Sequence, residues 1–163
     1  MYLLPYYSFK IETSQTPESA FSSLESKVDH KKIQKITWST NAEFHGEVST
    51  TEFKIMKSIR GRNAYLPLIT GNFIPSELGT IIYIEMGLAP FTVIIMCIWL
   101  GITGMMAIIG LFDFFQDSTV GYGPFLHSTY FFLAGIIFTL GSFWFEAIKQ
   151  KSRLIEIFDG VES

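Results

Sequence analysis

From residue 86 to residue 112 the chain carries no Lys, Arg, Asp or Glu. From 124 to 145 it again carries none, and His127 is the only histidine there. A bilayer's hydrocarbon core is about 30 Å thick, and about 20 consecutive apolar residues of helix cross it. The connector between the runs, residues 113–123, is polar and holds Asp113 and Asp117. Two uncharged runs joined by a tight acidic loop are read as a transmembrane helical hairpin over 88–145. Its spans lie at about 90–112 and 124–145, with an outer loop at 113–123.

The remaining sequence must fold around that hairpin. The chain has 163 residues, 48% of them hydrophobic, with 16 Phe and a mean hydropathy of +0.33. Soluble domains rarely look like this, and the excess sits in the two runs. About 85 residues precede them, enough for one small domain with a modest core. A net charge of −3 argues against a nucleic-acid partner. The single cysteine, Cys97, lies inside the first run, so no intrachain disulfide and no multi-cysteine metal site is expected. Neither a metal nor another cofactor is called for. The opening Met-Tyr-Leu-Leu-Pro-Tyr-Tyr has no basic region or cleavage site, so the first span itself is expected to direct insertion.

Residues 1–87 read as a cytoplasmic α+β domain. Residues 6–12 alternate as a strand. Thr16-Pro17-Glu18 opens a helix with Thr16 as N-cap, and Phe21, Leu24 and Val28 give it a narrow apolar face as far as about Asp29. An antiparallel sheet is expected next. Ile36 and Trp38 mark one strand. Phe44, Gly46 and Val48 face Phe53 and Ile55 across a turn at 49–52. Arg60-Gly61-Arg62-Asn63 reads as a basic turn. Residues 65–74, interrupted by Pro67 and Gly71, read as two short strands or one bent edge strand. Residues 80–86 form the most strand-like segment, with Gly87 expected to break it and Pro90 to open the first span. The whole is a small antiparallel sheet with one packed helix, then the hairpin, then a short helical extension, the cytoplasmic tail 146–163. On that tail Ile148, Ile155 and Phe158 share a face, and Gly160 is the expected C-cap.

The bases fix an orientation. Each Lys and Arg lies either before the hairpin or at Lys149, Lys151 and Arg153 just after it. Positive charge stays on the cytoplasmic side, which puts both termini in the cytoplasm and the connector outside. In lipid, helices associate through small residues. Cys97, Gly101, Gly104 and Ala107 make one such stripe, and Ser128, Gly135, Thr139 and Ser142 another. They suit contact within one chain, favoured by the short connector, or contact between copies.

Candidate sites are few. Lys54, Lys57, Arg60 and Arg62, with Lys149, Lys151 and Arg153, are candidates for contact with anionic headgroups, each worth about 1 kcal/mol at a membrane surface. The bland alternative is a solvated turn. His127 lies about one turn from the outer end of its helix, at the level of Asp113, where an interfacial His–Asp contact or simple solvation accounts for it. Glu43, Glu47 and Glu52 beside His45 look like solvated strand and turn charges rather than acid–base machinery. No phosphate loop, nucleophile elbow or His-Glu-x-x-His occurs. No catalytic residue is assigned, and an enzyme is not expected.

The pattern Phe44-x-Gly46-x-Val48, Phe53-x-Ile55, Arg62-Asn63, Pro67 and Gly71 resembles a group of uncharacterised bacterial membrane proteins. In these a small β-rich cytoplasmic domain precedes two spanning helices. The resemblance covers roughly residues 44–100. It implies a bacterial inner membrane and brings no activity or site residue. The expected role is a membrane-anchored binding or scaffold module, meeting the bilayer and a protein partner or copies of itself. The alternative is a subunit of an oligomeric channel, transporter or multisubunit membrane complex. An enzyme would need a buried, pKa-shifted Glu85 or His45 in an apolar cleft.

Overall fold

Alternation of apolar and polar residues builds most of one sheet. A computed structural model of the chain describes residues 5–29, 42–59, 63–116 and 123–163. The expected strand at Ile36 and Trp38, and the basic turn at Arg60 and Arg62, lie outside them. In chain order the elements are β1 (Tyr6–Thr13), α1 (Pro17–Glu25), β2 (Val28–Asp29), β3 (Phe44–Val48), β4 (Glu52–Lys57), β5 (Pro67–Ser76), β6 (Gly79–Leu88), α2 (Pro90–Gln116), α3 (Gly123–Phe158) and β7 (Val161–Glu162). The fold is α+β. Among the described residues there are three helices and a seven-stranded sheet in the order β2-β3-β4-β5-β6-β1-β7. The sheet is mixed rather than purely antiparallel, because β2 pairs parallel to β3.

The chain divides into two compact units. One holds Met1–Ala89 with Phe143–Ser163, the other Pro90–Ser142, and the division falls inside α3. The sequence sets 146–163 apart as a tail, yet that segment belongs with the sheet.

Within the sheet unit, α1 begins as its sequence predicts. Pro17 opens it, and the Ser19 N–H donates to Thr16 Oγ1 at 3.3 Å. It ends at Glu25 rather than near Asp29, because Val28 and Asp29 have left it to pair with Phe44 and His45. At the β3–β4 turn the Ser49 N–H and hydroxyl each donate to the Glu52 carbonyl at 2.8 Å.

β5 corrects the expectation of two short strands or a bent edge. It is one ten-residue strand between β4 and β6. The Phe73 N–H donates to the Thr51 carbonyl on the β4 side, and alternation points Pro67 and Pro75 the same way. β4 pairs only with residues 68–72, so neither proline removes a ladder bond there. Gly71 lies directly opposite Phe53, whose ring fills the missing side chain's place. A Cβ on Gly71 would come within 2.4 Å of that ring. β6 also outruns its expected end. Gly87 pairs with both Tyr6 and Leu68, so the strand continues to Leu88 and only Ala89 precedes Pro90.

One sheet face is apolar. Phe9, Ile11, Phe53, Ile55, Ile69, Phe73, Ile82, Ile84 and Met86 are buried on it, and α1 adds Ala20 and Leu24. The rest of the cover comes from α3. Its buried stripe is Phe143, Ala147, Gln150, Leu154 and Phe158, not the expected Ile148, Ile155 and Phe158. Phe158 remains in it, Ile155 is partly buried, and Ile148 is 58% exposed. The Phe158 ring lies 6.2 Å from Phe53 and 6.0 Å from Phe73. Trp144 meets Tyr7 edge-on at 5.5 Å.

The helix stops through a Schellman turn. The Gly160 N–H donates to the Ile155 carbonyl and the Asp159 N–H to that of Glu156, both at 3.3 Å. The left-handed residue is Asp159, at φ 44°, so the cap sits one residue before the expected Gly160. Gly160 instead allows close approach to β1, since a Cβ there would lie 2.4 Å from Ile11 Cγ2 and 2.8 Å from the Glu12 carbonyl oxygen.

Two substitutions test this seating. Phe158→Ala should cost about 3–5 kcal/mol, as other buried aromatic truncations do. Gly160→Ala should cost about 1–3 kcal/mol through overpacking against Ile11. Thermal unfolding of the full chain in mild detergent measures both. A loss no greater than that of the exposed control Val161→Ala would refute the α3 seating.

Candidate functional site

The apolar unit consists of α2 and the first part of α3. α2 has 27 residues and spans about 40 Å at the helical rise. Both helices are long and apolar enough to cross a membrane, judged by length and composition. Only 11% of the most apolar stretch of α2 is buried. Large side chains project on several sides of it, including Ile94, Ile102, Met106, Ile108 and Phe115, each more than half exposed.

The two helices meet along a partly different line from the expected stripes. A Cβ on Gly135 would lie 3.0 Å from Trp99 Nε1, and one on Gly104 would lie 3.3 Å from Phe132. Gly110, which the expected stripe omits, is the closest approach to backbone, with a Cβ placed 3.1 Å from Phe125 N and Cα. The Thr139 hydroxyl donates to the Gly135 carbonyl at 2.7 Å and lies 3.4 Å from Met96 Sδ. Ala107, Ser128 and Ser142 are half-buried. Cys97 is exposed and a Cβ on Gly101 meets nothing within 4 Å, so these two lie off the intrachain contact. The difference is angular, because a helix advances about 100° per residue and Met96 and Leu100 take the inward position. His127 Nδ1 lies 2.6 Å from the Gly123 carbonyl, a bond within its own helix.

In the sheet unit, the face opposite the helices is open. It carries a shallow cavity of about 590 Å³, lined among others by Glu47, Glu52, Lys54, Thr70, Asn72, Tyr83 and Glu85. Register explains the grouping. Glu47, Lys54, Thr70 and Glu85 form one cross-strand row, and Glu52, Asn72 and Tyr83 the next. Glu85 is exposed, and its hydrogen bond raises the Tyr6 hydroxyl above its ordinary pKa. His45 is half-buried outside this cavity. Burial pushes its pKa down and the nearby Asp29 opposes that shift, while Nδ1 lies 3.4 Å from Ser58 Oγ. Among the described residues, no group of three or more His, Cys, Asp or Glu is placed to hold a metal ion.

The bases after the second apolar run are placed unequally. Arg153 forks onto Glu43, with Nε–Oε1 at 2.5 Å and Nη2–Oε2 at 2.8 Å, and its Nη1 meets Glu156 at 2.5 Å. Lys151 Nζ lies 2.6 Å from Glu162 and 2.8 Å from the Tyr7 hydroxyl. Lys149 and Lys54 are exposed and Lys57 is half-exposed. Glu43 is therefore a tie between α3 and the start of β3, which its strand-face spacing did not reveal. Its partner is 110 residues away, and no local pattern marks such a pair.

No protein-family model, no curated protein and no solved structure matches the chain.

The Arg153 hydrogen bonds hold the Glu43 carboxyl below its ordinary 4.5. The stability this adds is full above that value and is lost as pH falls through the lowered one. His45 is also lowered, so its contribution is full above 6.5 and declines as pH falls from there toward the folded value. Acid unfolding of Glu43→Gln should lose the lower window only, and that of His45→Asn the upper only. At neutral pH a Glu43/Arg153 double-mutant cycle should give a coupling of about 1 kcal/mol, discounted for partial exposure. A cycle with no coupling would dismiss the tie. In the other unit, Gly135→Leu should weaken α2–α3 packing, whereas Gly101→Leu should be neutral in the same melting assay.

Proposed function

We propose that the chain is an integral membrane protein whose α2 and the apolar part of α3 form a transmembrane hairpin. One observation carries this reading, the apolar surface exposed on several sides of α2. A core helix of a water-soluble protein is buried along most of its length, whereas only 11% of the most apolar stretch of α2 is buried. In water each exposed large apolar side chain forgoes about 1.5–3 kcal/mol of burial. In lipid that penalty vanishes, and helix contacts come from close approach at small residues such as Gly110 and Gly135. Lys149, Lys151 and Arg153 follow the second span, which favours cytoplasmic termini and an outer connector. A bacterial inner membrane is the proposed address.

The sheet unit is then a binding or scaffold module tethered to the hairpin through Ala89 on one side and α3 on the other. Its bound surfaces would be the anionic leaflet, reached by Lys149 just after the second span, and a protein partner or second copy. The open sheet face, with Glu47, Lys54 and Glu85 exposed in one cross-strand row, offers a polar surface for such a partner.

Cys97 offers a direct test, because it is exposed in the chain itself. It should resist a membrane-impermeant maleimide from both sides of proteoliposomes and react once detergent unfolds the chain. The protein should also stay in the pellet after alkaline carbonate extraction. Labelling of intact vesicles together with release into the supernatant would defeat the hairpin. For the module, mild-detergent purification followed by identification of co-purified lipid and protein is decisive. Recovery of a lone monomer with no lipid preference would remove its support.

A further inference from the structure

β7 is the least embedded strand of the sheet. Val161 is 72% exposed, and Glu162 and Ser163 are exposed beside it. What holds it is polar and partly open to solvent, with the side chain of Lys151 22% and that of Glu162 40% exposed. Glu162 Oε1 meets Lys151 Nζ at 2.6 Å and accepts from the Tyr7 hydroxyl at 3.2 Å. The Ser163 N–H donates to the Lys10 carbonyl at 3.2 Å, and its hydroxyl donates to Glu12 at 2.7 Å. Ordering a few residues costs about what such exposed bonds return, so a strand held this way opens without the rest of the sheet. Asp159, a non-glycine residue at φ 44°, and Gly160 connect it to the end of α3.

Beneath β7 lies the outer edge of β1, whose backbone takes an antiparallel strand. Lys151 is held at that edge by more than β7. Its Nζ lies 2.8 Å from the Tyr7 hydroxyl and sits 5.3 Å and 5.7 Å from the Tyr7 and Phe9 ring centroids. When β7 lifts, a positioned cation remains beside an open strand edge.

We propose that the β1 edge with Lys151 is a docking site for an extended acidic strand of a partner protein, and that β7 is an internal stand-in occupying it. The stand-in displays the ligand's chemistry as an antiparallel sequence of apolar, carboxylate and hydroxyl side chains, with the carboxylate complementary to Lys151. In strand addition the main chain supplies affinity and side-chain contacts supply selectivity. The proposal deepens the binding-module reading and rests on it, although opening of β7 is measured independently of any partner.

The test uses the full chain in nanodiscs, amide exchange by NMR, and the synthetic peptide Ile-Phe-Asp-Gly-Val-Glu-Ser as probe. In the unmodified chain the Ser163 amide should exchange about 100-fold faster than amides of the β1–β6 ladder. Exchange at the ladder's rate would overturn the stand-in role. Ser163→Pro removes the N–H given to Lys10 at an exposed position, so folding is retained. In that variant the peptide should shift the Lys10 and Glu12 amides with about 10-fold higher affinity than in the unmodified chain. Its Glu→Gln version should lose most of the binding. Fast exchange without peptide binding would overturn the docking site while leaving the binding-module reading intact. Equal binding of the Glu and Gln peptides would overturn the part given to Lys151.

Discussion

The sheet has one apolar face, and α1, with nine residues, buries only Ala20 and Leu24 against it. A half-covered face of Phe and Ile costs stability in water in proportion to the area left wet. The last turns of α3 supply the missing cover. From that single requirement follow the Phe158 ring beside Phe53 and Phe73, the Thr13 hydroxyl donating to the Phe158 carbonyl at 2.7 Å, and the turn that sets Gly160 flush against Ile11. Two polar ties reinforce the seating, Arg153 to Glu43 and Lys151 to the Tyr7 hydroxyl. The sheet unit is thus assembled from two segments of the chain, with Pro90–Ser142 between them in sequence.

α3 serves two kinds of packing within one helix of 36 residues. Its first part meets α2 through close approaches at Gly135 and beneath Gly110. From Phe143 onward the same helix becomes one-sided. Phe143, Ala147, Leu154 and Phe158 turn inward while Ile148 and Lys149 face out. Two of the three bases after the apolar run, Lys151 and Arg153, tie the helix to the sheet.

Much of this was legible from local patterns. Thr16-Pro17 marks the start of α1, residues 49–52 mark the hairpin turn, and alternation marks β1, β3, β4 and β6. Elsewhere the local cue pointed away from the outcome. Pro67 and Gly71 read as interruptions of β5, but one lies beyond the reach of β4 and the other sits under a Phe53 ring. Gly87 read as a breaker, but strands flank it on both sides. The small-residue stripes named the right helices, yet placed Cys97 and Gly101 on a face that Met96 and Leu100 occupy instead. The candidate headgroup bases were visible as charges, whereas the engagement of Lys151 and Arg153 was not.

The sequence by itself determined the properties carried by neighbouring residues: two long apolar helices, an α+β remainder, and the caps and turns that start and stop most elements. These depend on side chains within a few positions of one another, so periodicity and spacing report them directly. Only the tertiary structure decided which strands lie inside the sheet, that β2 joins it in parallel, that β7 closes its far edge, and that Phe143–Ser163 belongs to the sheet unit. Each of those outcomes comes from groups distant in the chain meeting across a common face or edge. Glu43 carries no mark of Arg153, nor Ile11 of Gly160, until the backbone brings them together.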